Sequence, residues 1–218
     1  MFSQTEENYI KAIYSLELSN SKNVSTTLIA EKLQTKASSV TDMIRKLADK
    51  DLLHYKKYQG VSLSKMGQEI AVEIVRKHRL WEVFLVNTLH YNWDEVHELA
   101  EQLEHIKSDT LIDKLEAFLE FPTNDPHGDP IPDKDGNIEH HKNIMLSSVE
   151  TEKSCVVIGI KDSSDSFLKY LDQIDIQLGS ALKVISKEAF DNSMRVENNQ
   201  ISFSISNQIS KNLFVKKL

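Results

Sequence analysis

Between Arg76 and His105 the chain reads RKHRLWEVFLVNTLHYNWDEVHELAEQLEH. His78 and Glu82 stand at i, i+4, and His97, Glu101, Glu104 and His105 at i, i+4, i+7 and i+8. Both spacings stack side chains on one face of a helix. Facing helices that offer imidazoles and carboxylates suit a divalent transition metal. With no thiolate in the stretch the donors are nitrogen and oxygen, which fits Mn²⁺, Fe²⁺ or Zn²⁺. Each residue alone has a plainer reading: Glu98, Glu101 and Glu104 as a solvated face, Glu82 as a surface partner of Arg79. The joint pattern favours metal.

The chain has 218 residues, 40% hydrophobic and 27% charged, enough to bury a core in one large domain or two to three small ones. A single cysteine, Cys155, rules out an intramolecular disulfide framework. No signal peptide and no long apolar run is evident, so a cytoplasmic protein with no membrane association is expected. The net charge of -7 argues against nucleic acid, but it is uneven. Residues 1–72 hold ten Lys/Arg against eight Asp/Glu, and the rest is strongly acidic. A local basic face can dock on DNA within an acidic whole.

That first segment has the pattern of a DNA reader. Residues 3–19 are helix-periodic, with Ser3 and Glu6 spaced as a capping box. Residues 25–34 follow as a short amphipathic helix, and after the loop Thr35–Lys36 the run Ala37-Ser38-Ser39 and VTDMIRKLADKDLL gives a second, with the stripe Val40, Met43, Ile44 and Leu47. Two β-prone runs around Gln59-Gly60 then read as a hairpin wing. Together these predict a winged helix-turn-helix. The candidate DNA-facing residues are Thr26, Thr27, Lys36, Ser38, Ser39, Thr41, Asp42, Arg45 and Lys46, with Lys56 and Lys57 on the wing. Small hydroxyls and cations at a helix start can reach phosphates and base edges.

Helices are predicted from Lys65 to about Leu89, from Trp93 to His105 and from Ser108 to Leu119, with Phe84, Leu85, Leu111, Leu115, Phe118 and Leu119 as a dimer face. Residues 121–143 contain all four prolines and read as loop. Beyond 150, SCVVIGI, ALKVISK, ISFSIS and NLFVKK are β-prone, with one helical piece, DSFLKYLDQI, and a turn at Gly179. Short strands with tight turns predict a small barrel.

The segments ENYIKAIYSLE, SSVTDMIRKLADKDLL and YKKYQGVSLSKMGQ, and above all RKHRLWEVFL, EVHELAEQLEHIKSD and PHGDPIP, carry a resemblance that covers nearly the whole chain. It resembles the diphtheria toxin repressor family of iron- and manganese-dependent transcription repressors. The resemblance implies a mainly α chain with a small β domain. Residues 1–72 would form the winged helix-turn-helix and 73–141 a helical dimerisation and metal domain. A linker would span 142–150 and an SH3-like β-barrel 151–218. By the same resemblance His78, Glu82 and His97 match one metal position, and Glu101, Glu104 and His105 the other. Glu101 stands where iron-responsive members carry Cys and manganese-responsive members Glu, which points to Mn²⁺. Asn8 stands where the family places a first-helix Met or Asp ligand, and Lys11 where manganese members add a Glu. Longer manganese members draw on the PHG segment and C-terminal domain, which here implies His127 and Asp125, joined by Glu82 and by Asp162 or Asp165.

The expected function is therefore a Mn²⁺- or Fe²⁺-dependent repressor, with Zn²⁺ able to bind in vitro. Metal would order a homodimer for binding to a double-stranded DNA operator. No P-loop, nucleophile elbow or dinucleotide fingerprint is present, so no enzyme is expected. The alternatives are a winged-helix regulator sensing an organic ligand and a metal-buffering protein.

Overall fold

The computed structural model describes residues 2–20, 23–56, 60–138, 144–162 and 164–218. Lys57 and the side chain of Asp165 lie outside the described residues. The chain divides into two compact units. One holds residues 1–78, 101–109 and 132–137; the other holds 79–100, 110–131 and 138–218.

The first unit opens with α1 (Gln4–Asn20). Its capping box closes in both directions: the Ser3 N–H donates to Glu6 Oε2 at 3.0 Å and the Glu6 N–H to Ser3 Oγ at 3.3 Å. Helix α2 (Thr26–Lys32) is capped by Ser25, and α3 (Ala37–Ala48) follows. The predicted stripe of α3 points inward, with Val40, Ile44 and Leu47 buried against Ile10, Ile13 and Ile29. Strands β1 (Leu53–Lys56) and β2 (Gly60–Leu63) pair antiparallel with Leu53 opposite Leu63, and Val24 bridges to Val61. Three helices and a two-stranded wing form the winged helix-turn-helix read from the sequence.

Helix α4 (Lys65–Asn87) starts on Ser64, whose hydroxyl accepts from the Gly67 N–H and donates to the Asp51 carbonyl. At Gly67 the helix passes so close to the wing that a Cβ would lie 2.2 Å from the Leu52 carbonyl oxygen. Helix α5 (Val96–Leu103) and α6 (Asp109–Phe118) complete the helical part. The predicted start of α5 at Trp93 is three residues early. The chain first makes a turn, with Glu95 N–H bonded to the Asn92 carbonyl, and the Trp93 ring is buried in the core of the β domain.

That domain is a six-stranded antiparallel sheet. Its strands are β3 (Ile144–Met145), β4 (Ser154–Ile160), β5 (Ala181–Lys187), β6 (Met194–Asn198), β7 (Ile201–Ile205) and β8 (Leu213–Lys217), in the order β3-β8-β4-β5-β6-β7. Helix α7 (Asp165–Gln173) packs Leu168 and Leu171 on the same core as Val157, Val184 and Val215. The four predicted strand runs and the helix are present. Strand β6 was missed because MRVEN is short and half polar. Its signal was the alternation of Met194, Val196 and Asn198 inward, closed by a two-residue turn at Asn199-Gln200 with both φ positive.

The close approach at Gly67 sets a stability prediction. Gly67→Ala should lower unfolding free energy by about 1–3 kcal/mol, the usual cost of overpacking. Urea denaturation of the variant beside the wild type measures it, and an unchanged midpoint would contradict the packing described.

Candidate metal centre and DNA-facing surface

The second unit builds a buried donor cluster. Glu82, Asp125 and His127 each offer a ligand atom, and these atoms all lie within 4.8 Å of one another. All three residues are buried, with Glu82 at 2% exposure. Glu82 is thus no surface partner of Arg79. It comes from the apolar face of α4, between Trp81 and Val83, which are also buried. Glu82 Oε2 faces His127 Nδ1 at 3.6 Å, and Glu82 Oε1 faces His97 Nδ1 at 3.5 Å. The His97 side chain is largely exposed. His78 sits one turn before Glu82 on α4, as the spacing predicted.

The loop that carries Asp125 and His127 is fixed by its own sequence. Asp125-Pro126-His127-Gly128 has the residue preferences of a type I turn, and the Gly128 N–H bonds to the Asp125 carbonyl at 3.0 Å. Asp125 Oδ1 also accepts from the backbone N–H of His127 and Asp129. Gly128 has φ +87°, and a Cβ there would lie 2.3 Å from both Gly159 Cα and the Ile158 carbonyl oxygen. The loop can approach β4 this closely because residue 128 is glycine. A bulge in β4 between Val157 and Gly159 accompanies it, and the Ile160 N–H bonds to the His127 carbonyl.

The electrostatics follow from burial. Desolvation, then repulsion from Glu82 and Asp129, raises the Asp125 carboxyl to about 7 against the pull of Arg79, whose Nε is 3.5 Å away. Burial would depress His127, but Glu82, Asp125 and the Trp93 carbonyl override it and hold the imidazole at about 9. His127 Nε2 lies 3.0 Å from that carbonyl, and the Trp93 ring stacks on the imidazole at 6.3 Å. With Nε2 donating to the carbonyl, Nδ1 is the nitrogen left to face Glu82. Trp93 and Arg79 were not among the predicted site residues. Neither carries a donor that spacing rules look for.

Two buried carboxylates and one imidazole, with no thiolate, supply hard and borderline donors and up to two negative charges. That set fits a divalent ion. Cys155 is elsewhere, inside β4, where burial pushes its thiol up to about 11.

The remaining predicted ligands are placed differently. In the first unit Lys11 Nζ contacts Glu104 at 2.6 Å and Glu101 at 3.7 Å, and His105 Nδ1 contacts Glu7 at 2.6 Å. Glu7 was not anticipated, while Asn8 is exposed on α1. Among the described residues, the donor clusters of metal-binding size include none of Glu101, Glu104 and His105. Asp162 accepts from the Ser164 N–H at 3.0 Å.

Of the candidate DNA-facing set, Thr27, Lys36, Ser38, Ser39, Asp42, Arg45, Lys46 and Lys56 are exposed, and Thr26 and Thr41 are half-buried. Two are partly committed. Thr41 Oγ1 donates to the Ala37 carbonyl, and Lys46 Nζ pairs with the buried Glu6 at 3.1 Å. Lys50 also pairs with Glu6, and with the Ser3 N–H and Lys46 it holds that carboxyl down at about 2. Of the predicted dimer face, Leu85 and Leu115 are buried within the protomer, whereas Leu111 and Phe118 are exposed.

Comparison with known proteins places these features. Residues 1–61 match the N-terminal DNA binding domain of iron dependent repressors, residues 64–133 their metal binding and dimerisation domain, and residues 144–217 the FeoA domain. The chain is 36% identical over 118 residues to the uncharacterized HTH-type transcriptional regulator MJ0568 of Methanocaldococcus jannaschii, covering 54% of this chain and 94% of that one. It is 33% identical over 128 residues to the iron-dependent repressor IdeR of Mycobacterium tuberculosis, 59% of this chain and 55% of that protein. A solved manganese-dependent transcriptional repressor in complex with manganese superposes with a TM-score of 0.82 at 35% identity, covering 98% of this chain and all of the other. With its three segments matched in order and its fold shared over nearly the full length, this chain belongs to the diphtheria toxin repressor family of metal-dependent transcriptional repressors.

Proposed function

We propose that this protein is a Mn²⁺- or Fe²⁺-responsive repressor whose regulatory ion is held by Glu82, Asp125 and His127, with His97 at the open side. The observation that carries the reading is the burial of two carboxylates beside an imidazole. Such a group is unfavourable without a cation and favourable with one. The donor set lacks sulfur and so favours Mn²⁺, while Zn²⁺ would bind tightly in the test tube by its place in the affinity series. His78, on the neighbouring turn of α4, belongs to the same helical face, and Asp162 stays a candidate for completing the set.

When bound, the ion supplies positive charge that lets Glu82 and the Asp125–His127 turn hold together without protons. The residues do the rest. Glu82 ties α4 to the 125–128 turn, and Asp125 keeps that turn closed through its backbone bonds. His127 is oriented by the Trp93 carbonyl. A ligand shifts a conformational equilibrium only by its different affinity for the two states. Ordering this cluster is that difference, and its product is a homodimer whose two α3 helices enter successive major grooves of a palindromic operator. The exposed Leu111 and Phe118 support an apolar dimer contact on α6. The action is on DNA, so the place of work is the cytoplasm.

Three outcomes test this reading. Glu82→Ala and His127→Ala should each weaken Mn²⁺ binding by at least about 100-fold, above the loss typical of second-shell changes. Both should abolish the chelator-sensitive part of operator binding in a mobility-shift assay. Operator affinity indifferent to chelator in the wild type would instead favour a sensor of an organic ligand. A second test is pH. Protons and the ion compete for the lone pairs of Asp125 and His127, so Mn²⁺ affinity should rise with pH, most steeply below about 7, less steeply from there to about 9, and level off above it. Calorimetry in buffers of different ionisation enthalpy should register proton release on binding, and a flat pH profile would sink the assignment. Third, Arg45→Ala should reduce the slope of log K against log salt for operator DNA by about 1, as loss of one phosphate contact does. No change in slope would remove Arg45 from the interface.

A further inference from the structure

The first unit contains a second set of donors, and it is already served by a cation. Lys11 on α1 reaches Glu104 Oε2 at 2.6 Å, His78 Nδ1 at 3.1 Å and Glu101 Oε1 at 3.7 Å. His78 Nδ1 is itself 2.6 Å from the same Glu104 oxygen. The ammonium is well enclosed, with the Lys11 side chain 18% exposed and that of Glu104 1%. Burial would raise the Glu104 carboxyl, yet His78 and Lys11 hold it below its ordinary value. The buried acid is therefore ionised and neutralised from within the chain.

Two carboxylates, from α5 and from the residue after it, thus converge on Nζ, with His78 of α4 beside them. An ammonium has three N–H donors and a compact charge, so it satisfies the carboxylate oxygens without coordination, while His78 Nδ1 donates to Glu104 beside it. It also excludes an ion. A divalent cation at Glu104 would need the lone pairs that Lys11 and His78 occupy, and would stand within a few ångströms of a positive charge. The Glu7–His105 pair beside it leaves His105 Nδ1 engaged as well.

We infer that the Lys11 ammonium takes the place of a second metal ion, so that each protomer binds one regulatory ion and not two. Helix α1 is then fastened to α4 and to the Glu101–His105 segment whether or not metal is present. The inference rests on the reading of Glu82, Asp125 and His127 as the ion site.

The test is the number of Mn²⁺ ions bound per protomer at saturation, by equilibrium dialysis and metal analysis of the full chain. The wild type should bind one, lost in Glu82→Ala and retained in Glu104→Gln. Lys11→Glu, which replaces the ammonium by a carboxylate, should bind two, and its melting temperature should rise with Mn²⁺ by more than that of the wild type. Two ions in the wild type, one of them lost in Glu104→Gln, would overturn the inference and leave the Glu82 site standing. One ion that survives Glu82→Ala and disappears in Glu104→Gln would overturn both. No ion in the wild type but one in Lys11→Glu would support the replacement of a metal by Lys11 and end both the Glu82 reading and the count of one that rests on it. If Lys11→Glu does not fold, the wild type and Glu104→Gln decide the matter by the same counts.

Discussion

A carboxylate taken out of water must be given a proton, a donor or a cation. Much of this molecule is arranged around that requirement. Glu82 and Asp125 are buried close together in the second unit, and their repulsion is part of what lifts Asp125 to about 7. Glu6 and Glu104 are both buried in the first unit. Each is answered differently. Glu6 is met by Lys46, Lys50 and the backbone of Ser3, and Glu104 by Lys11 and His78. Glu82 faces His127 and His97, and Asp125 accepts from the backbone N–H of His127 and Asp129 and faces Arg79.

The same constraint links the DNA reader to the rest of its unit. Glu6 closes the cap of α1 and also receives a cation from α3 and another from the turn after it. One buried acid therefore fixes the start of α1 against α3. Lys46, exposed on α3, is drawn partly to Glu6.

Local order was legible because it is decided by neighbours in sequence. The stripe Val40, Ile44 and Leu47, the Ser3–Glu6 box and the paired runs around the wing each depend on a few adjacent residues. The strands SCVVIGI and ALKVISK announced themselves by β-branched content. The errors have the same physical origin. Trp93 looked helical by pattern, but its ring is drawn into a core formed more than fifty residues later in the chain. Leu85 and Leu115 looked available for a dimer, but the protomer itself buries them.

The sequence by itself determined the chemistry on offer: imidazoles and carboxylates at helical spacing, no thiolate among them, a winged helix-turn-helix before them and a β domain after. It also set the turn at Asp125-Pro126-His127-Gly128, because proline and glycine limit the backbone there. Only the tertiary structure decided which donors meet. Glu82 faces His127 from another element, and Lys11 reaches Glu104 across 93 residues of chain. Helical spacing fixes the face on which a side chain lies. Which groups that face opposes is set by the packing of whole elements, and burial then decides the charge each group can carry.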